Sequence, residues 1–134
     1  MLLVVYDTFT QNNARFIKKL NLAENETVKI TPNLIVSEPF VLLTYTTGYG
    51  EVPKTTLEFL KVNSSYMQGV AASGNTIWGD NFARSADTIS KMYGVPILMK
   101  FEMSGMPEDV ETFMERVQNI RYETYRVKQR GDTA

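Results

Sequence analysis

Short apolar runs alternate with segments of helical spacing along the whole chain, and this alternation constrains the fold more than any single residue does. Leu2–Tyr6 is apolar at consecutive positions, the pattern of a strand buried on both faces. Asn13–Leu20 follows, with Phe16, Ile17 and Leu20 on one helical face. Thr27–Ile30 is β-branched and polar enough for an edge strand, whereas the turn-rich Asn33–Pro39 fits neither pattern. Phe40–Thr46 is the second strong apolar run, and Pro53 beyond it suits the first turn of a helix carrying Leu57 and Leu60 inward. Gly69–Ser73 reads as a strand of small residues. Phe82, Ala86, Ile89 and Tyr93 mark one face of the next helix, and Pro96–Phe101 is a further strand. The last helix starts at Pro107, with Glu108 and Asp109 where the helix dipole favours acids, and buries Val110, Phe113, Met114, Val117 and Ile120.

Strands separated by helices predict a parallel sheet covered on both faces. Five strands in 134 residues predict an α/β, flavodoxin-like, doubly wound sheet of order 2-1-3-4-5, whose sites lie at the carboxyl ends of the strands. The expected organisation is one domain, 1–121, followed by a polar tail, 122–134, and the basic stretch Arg121–Arg130 across that boundary reads as a solvated end of chain.

The chain contains neither Cys nor His, which removes disulfides, thiol chemistry, the usual zinc sites and His-based triads together. Redox or acid–base chemistry then falls to a bound cofactor. A formal charge of −1 gives no electrostatic case for nucleic acid or an anionic membrane. The opening `MLLVVYDTFT` lacks a basic start and a cleavage site and is too short to cross a bilayer, so the cytoplasm is the expected location.

Three segments follow strong strands and are therefore brought to one edge of the sheet. `DTFTQNN`, Asp7–Asn13, offers hydroxyls, amides and a helix start, which can ring a phosphate without Lys or Arg; helix capping by Asn12 or Asn13 is the other reading. `TYTTGYGEVP`, Thr44–Pro53, carries Gly48 and Gly50, which let a ligand approach the main chain or simply build a turn. `ASGNTIWGDNF`, Ala72–Phe82, puts the only Trp of the chain, Trp78, in a Gly/Asn-rich loop, either as a cover for something flat or as a local core plug. Taken together, a hydroxyl-rich loop, a Gly platform and an aromatic lid suit flavin mononucleotide (FMN), its phosphate in the first loop and its ring between the other two. No Gly-Lys-Ser/Thr and no Gly-x-Gly-x-x-Gly occurs, against nucleotide kinases and NAD enzymes. Glu51, Asp80 and Glu102 are the acids near the proposed ring, with solvation or capping as their ordinary roles.

At these residues the sequence resembles the NrdI family, the flavodoxin-like ribonucleotide reductase stimulatory proteins. The resemblance is carried by `VVYDTFTQNNARFIKKL`, `LLTYTTGYGEVPKTTLEFL`, `GVAASGNTIWGDNFARSADTISKMYGVPILMKFEMSG` and `DVETFMERV`, which span most of the chain up to about Ile120. It implies an FMN protein, an accessory redox activator rather than a stand-alone enzyme, working beside a class Ib ribonucleotide reductase. In that family the reduced flavin reacts with molecular oxygen, and the oxidant passes to the dimanganese centre of the small reductase subunit to support its tyrosyl radical. A reductant for the flavin, of unspecified identity, is implied as well. Position by position, the resemblance puts Thr8, Phe9, Thr10, Gln11, Asn12 and Asn13 around the phosphate. It puts Thr46, Thr47, Gly48 and Tyr49 on one side of the ring, with the Gly48 peptide reorienting as the flavin changes redox state. Ser73, Gly74, Asn75, Trp78, Gly79, Asp80 and Phe82 take the other side, Trp78 as the stacking residue. Two departures stand out: Gln11 replaces a Gly in the first loop, at a position where Gln resists a positive φ, and `FEMSGM` replaces `FELSGT` at 101–106. A generic single-electron flavodoxin and a flavin-free binding module of the same fold are the competing functions.

Overall fold

The computed structural model describes residues 2–129. Five parallel strands are present: β1 (Leu3–Tyr6), β2 (Thr27–Lys29), β3 (Phe40–Tyr45), β4 (Met67–Gly74) and β5 (Ile97–Glu102). They form one sheet in the order β2-β1-β3-β4-β5, as the alternation predicts. Four α-helices connect or follow them: α1 (Asn12–Leu20), α2 (Lys54–Asn63), α3 (Arg84–Tyr93) and α4 (Pro107–Gln129). The consecutive apolar residues of β1 and β3 are explained by burial on both faces. Leu3, Val5, Phe40 and Leu42 face Phe59, Leu60, Ala86 and Ile89 of α2 and α3. Val4, Val41 and Leu43 face the other way, towards Phe16 and Leu20 of α1 and Phe113 and Val117 of α4.

The expected inward residues of the last helix divide, Phe113 and Val117 being fully buried and Val110, Met114 and Ile120 packing at the margin. On α2 the expected pair is half right. Leu60 is buried, but the inward stripe is Thr56, Phe59, Leu60 and Asn63, and Leu57 lies beside it, half-buried. The polar members are tolerated because their hydrogen bonds are satisfied. Thr56 bonds Asp7 and Thr44, and Asn63 serves the 31–39 connection that matched no sequence pattern. Asn63 Oδ1 accepts from the Val36 N–H (2.8 Å), and its Nδ2 donates to the Leu34 carbonyl (3.0 Å). Beside the Leu34 N–H to Thr31 carbonyl turn (3.2 Å), this side chain meets two further backbone groups of the loop.

Helix α4 continues through 122–129 of the segment expected as a tail, and residues 130–134 lie outside the described residues. Arg121 bonds the Leu2 carbonyl (3.3 Å) and Glu26 (3.1 Å), so this first basic residue is tied to the domain. Among the described residues no helix is long and apolar enough to cross a membrane.

Candidate functional site

The carboxyl ends of β1, β3 and β4 open into a cleft walled by the three loops that follow them. Its lining comprises Thr8, Phe9, Thr10, Asn12 and Asn13, then Tyr45, Thr46, Thr47 and Gly48, then Ser73, Gly74, Asn75, Trp78, Asn81 and Ala83, with Met103 from beyond β5. No residue of that wall carries a charge.

In the first loop the chain turns into α1 through Gln11, which takes a left-handed conformation (φ 69°, ψ 1°). The Gln therefore adopts the backbone shape a Gly would favour, instead of reshaping the loop. The helix start has no side-chain cap, so the capping reading does not hold. Asn12 Oδ1 accepts weakly from Arg15 (3.3 Å). The Asn13 amide points back into the sheet, its Nδ2 donating to the carbonyls of Asp7 and Thr44, both at 2.8 Å. Two carbonyl acceptors fix which end of the amide is nitrogen. That leaves Asn13 Oδ1 buried without a partner, and Thr8 Oγ1 is in the same state. Buried orphans of this kind are uncommon and cost about 1–3 kcal/mol each unless something meets them.

Beneath the cleft, Asp7 is buried and ties β1 to the start of α2. Thr55 Oγ1 donates to its Oδ2 at 2.5 Å and Thr56 Oγ1 at 2.8 Å, and Thr56 shares a 2.7 Å bond with Thr44. With the Asn13 bridge, this network locks the ends of β1 and β3 together. Tyr45 stands above it with its ring stacked on Phe9 (6.4 Å between centroids, 25° between planes). Burial pushes the Tyr45 phenol above its ordinary value, and the Asp7 carboxylate adds to the rise, while a hydrogen bond with Thr55 opposes it.

The second loop closes on itself. The Thr47 N–H donates to the Glu51 carbonyl (2.9 Å) and the Glu51 N–H to the Thr47 carbonyl (2.8 Å), with Gly48 at φ 56° in the bend. A Cβ on Gly48 would also sit 3.2 Å from the Glu51 carboxyl group. Thr46 Oγ1 accepts from the Ser85 N–H (3.2 Å) and bonds the Ser85 hydroxyl (2.9 Å), joining this loop to the start of α3.

In the third loop Asn75 Oδ1 caps the 3-10 turn Thr76–Asn81 by accepting from the Ile77 N–H at 3.1 Å. Gly74 is required sterically, since a Cβ there would stand 2.7 Å from the Ala83 backbone nitrogen. Trp78 is 47% exposed, so it is no core plug, and its ring meets Tyr49 edge-on at 5.8 Å.

Most of the expected residues thus gather on one cleft, and five do not line it. Gln11 and Asp80 are exposed beside it, and Gly79 lies in open space. Tyr49 is at the rim, touching Trp78 from outside. Phe82 is half-buried, packing on the apolar cluster beneath α3 and against Gly74 of the cleft wall from behind. Of the acids, Glu51 packs on Gly48 and Glu102 accepts from the Thr76 hydroxyl. Sequence reasoning missed Tyr45, Asn81, Ala83 and Met103 as wall residues. The position of Tyr45 at the end of an apolar run was the available signal for it. Met103 had none, because its place depends on a left-handed turn (φ 54°) after β5.

The cleft accommodates a ligand with an anionic end and hydroxyl groups. Thr8 Oγ1 can donate to an anionic oxygen beside the uncapped start of α1, where helix N–H groups favour negative charge. Asn13 Oδ1 can accept from a hydroxyl. A phosphate attached to a polyol chain, as in the cofactor implied by the sequence resemblance, would offer a partner of the right kind to each orphan, and the hydroxyl-bearing and aromatic walls beyond suit a flat polar ring.

Comparison with known proteins follows the same line. Three solved flavodoxins share the fold at 17–21% identity. They are flavodoxin 1 of Bacillus cereus (TM-score 0.63, 17% identity, 90% of this chain and 97% of that one), a short-chain flavodoxin associated with a non-canonical PDU bacterial microcompartment (0.64, 21%, 90% and 98%), and the flavodoxin of Streptococcus pneumoniae TIGR4 (0.65, 20%, 91% and 98%). A relative called Protein NrdI, from Bacillus licheniformis, is 52% identical over 120 residues, 90% of each chain. Residues 4–115 match the family described as NrdI Flavodoxin like, and the chain belongs to that family.

Proposed function

We propose that this chain holds FMN in the cleft and acts as an accessory redox protein to a class Ib ribonucleotide reductase. When bound and reduced, FMN supplies the electrons that turn molecular oxygen into the oxidant used to assemble the dimanganese-tyrosyl radical centre of the reductase small subunit. The observation that carries the reading is the pair of buried, unpartnered atoms, Thr8 Oγ1 and Asn13 Oδ1, in an uncharged cleft at the carboxyl edge of the sheet. Membership of the NrdI family supports the reductase as the partner.

The chain's own part is to bind and orient. Thr8, Thr10 and the first N–H groups of α1 hold the phosphate by hydrogen bonds, with no cation in the wall to neutralise it. Tyr45, Thr46, Thr47 and Gly48 form one side of the ring site. Ser73, Gly74, Asn75, Trp78 and Asn81 form the other. Gly48 has the backbone freedom to reorient its peptide with the redox state of the ring, since φ is already positive and no Cβ meets Glu51. A separate electron donor reduces the flavin, and the cytoplasm, where ribonucleotides are reduced, is the expected place of work.

The test has two stages. The purified chain is expected to take up FMN with a yellow absorbance and to prefer it over riboflavin; failure to bind either would leave only a flavin-free binding module. The reduced, FMN-loaded chain is then mixed with oxygen and a manganese-loaded class Ib small subunit, and the tyrosyl radical is read by electron paramagnetic resonance. Rapid passage of single electrons to unrelated acceptors with no radical in that mixture would favour a generic flavodoxin instead.

A further inference from the structure

We propose that Met103 is an oxidation site, its thioether taking up oxidant released in the cleft to become the sulfoxide; this rests on the functional reading above, which supplies that oxidant. Met103 lines the cleft and is 52% exposed. It holds a left-handed backbone at φ 54°, a conformation that costs a residue with a Cβ about 1–2 kcal/mol. The turn carrying it is pinned on three sides. The Met103 N–H donates to the Gly74 carbonyl (3.0 Å), and Lys19 Nζ donates to the carbonyls of Ser104 and Gly105, both at 3.0 Å. Gly105 sits so close to Phe16 that a Cβ would be 2.7 Å from its ring. The turn cannot swing away without breaking these contacts, so Met103 stays on the cleft wall.

Hydrogen peroxide is the oxidant class. A sulfur lone pair attacks one peroxide oxygen, an S–O bond forms as the O–O bond breaks, and the departing hydroxide takes the remaining proton to leave as water. Sulfur loses two electrons and peroxide gains them. The product is a polar, chiral sulfoxide in place of an apolar thioether on the cleft wall, reversible by methionine sulfoxide reductases. Met92 on α3 is an internal reference, 57% exposed and absent from the cleft wall. Met67 and Met99 are buried.

The full chain, loaded with FMN and reduced under argon by an equivalent of dithionite, is exposed to oxygen with and without catalase, and sulfoxides are mapped by peptide mass. A parallel sample of flavin-free protein receives hydrogen peroxide in bulk. The expected result is Met103 sulfoxide in about fivefold or greater excess over Met92 in the reduced sample, retained with catalase, and near-equal oxidation in bulk peroxide, because only local release raises the concentration at Met103. Equal oxidation of the two in the reduced sample, loss of the Met103 sulfoxide with catalase, or the same preference in bulk peroxide would each overturn the proposal. The flavin absorbance is followed in the same cuvette. If it returns on oxygen addition while Met103 is not favoured, only the Met103 assignment falls; if it does not return, the functional reading falls and takes Met103 with it.

Discussion

Gln11 pays for its place at the head of α1 with backbone strain. Its φ of 69° lies in the region that L-residues other than Gly enter at about 1–2 kcal/mol, and its side chain makes no cap in return. Gln11→Gly is therefore expected to raise unfolding free energy by about 1 kcal/mol, less than the full strain because Gly also gains entropy in the unfolded chain. Urea denaturation of the flavin-free protein checks this, and an unchanged or lower midpoint would show that the Gln side chain has a compensating role. Tyr45 makes a second prediction at this scale. Its folded phenol is held above the ordinary value near 10 by burial and by Asp7. Keeping the neutral form is a stabilising contribution that is complete below the unfolded pKa and is lost as pH rises past it and through the folded value. Tyr45→Phe should accordingly show a shallower alkaline loss of stability than the parent chain, measured as urea midpoints from about pH 8 to about pH 11. Identical alkaline slopes would place the titration elsewhere.

Elements were legible where burial on both faces writes itself into consecutive apolar residues, as in β1 and β3, and where helical spacing is undisturbed, as in α4. They were misread where a polar residue is buried with its bonds satisfied, because such a residue looks like a surface position. On α2 this hid Thr56 and Asn63 and drew Leu57 inward. The same blindness applies in the site: Asn13 resembles a phosphate ligand in sequence, yet its Nδ2 is spent bridging β1 and β3. Loops that carry hydroxyls and glycines announced the cleft, while the Met103 turn depends on contacts with α1 that no local pattern records. Asn63 turns this lesson into a measurement. Asn63→Ala removes the bonds to Leu34 and Val36 and leaves their backbone groups to find water or stay unmet, at a cost of about 1–3 kcal/mol. The loss should appear as a lower denaturation midpoint with FMN affinity unchanged, since none of these residues touches the cleft. A matching fall in FMN affinity would mean that the 31–39 connection and the cleft are coupled.

At the scale of the whole molecule, exposed apolar side chains occur in several places, Ile35, Val62 and Met92 among them, and one group belongs to the loops of the cleft. Phe9, Tyr49, Ile77, Trp78 and Met103 are all exposed, and all belong to the cleft wall or to the loops that build it. Exposed apolar residues gathered in one region mark an interaction surface more often than chance. Under the proposed function, the reductase small subunit would dock on this edge, because a covered mouth would keep the oxidant from escaping to solvent. Ile77 separates docking from cofactor binding. It is 80% exposed and is not a wall residue, and its backbone N–H bond to Asn75 does not depend on its side chain. Ile77→Asp removes an apolar contact worth about 1.5–3 kcal/mol when buried and adds a charge to the rim. The expected outcome is unchanged FMN affinity and melting temperature, with binding to the manganese-loaded reductase small subunit weakened about tenfold or more, since tenfold corresponds to about 1.4 kcal/mol. Calorimetric titration of the two proteins measures the affinity directly. Equal affinity in parent and variant would move the docking surface away from the third loop, and a drop in FMN affinity would show instead that the loop had been deformed.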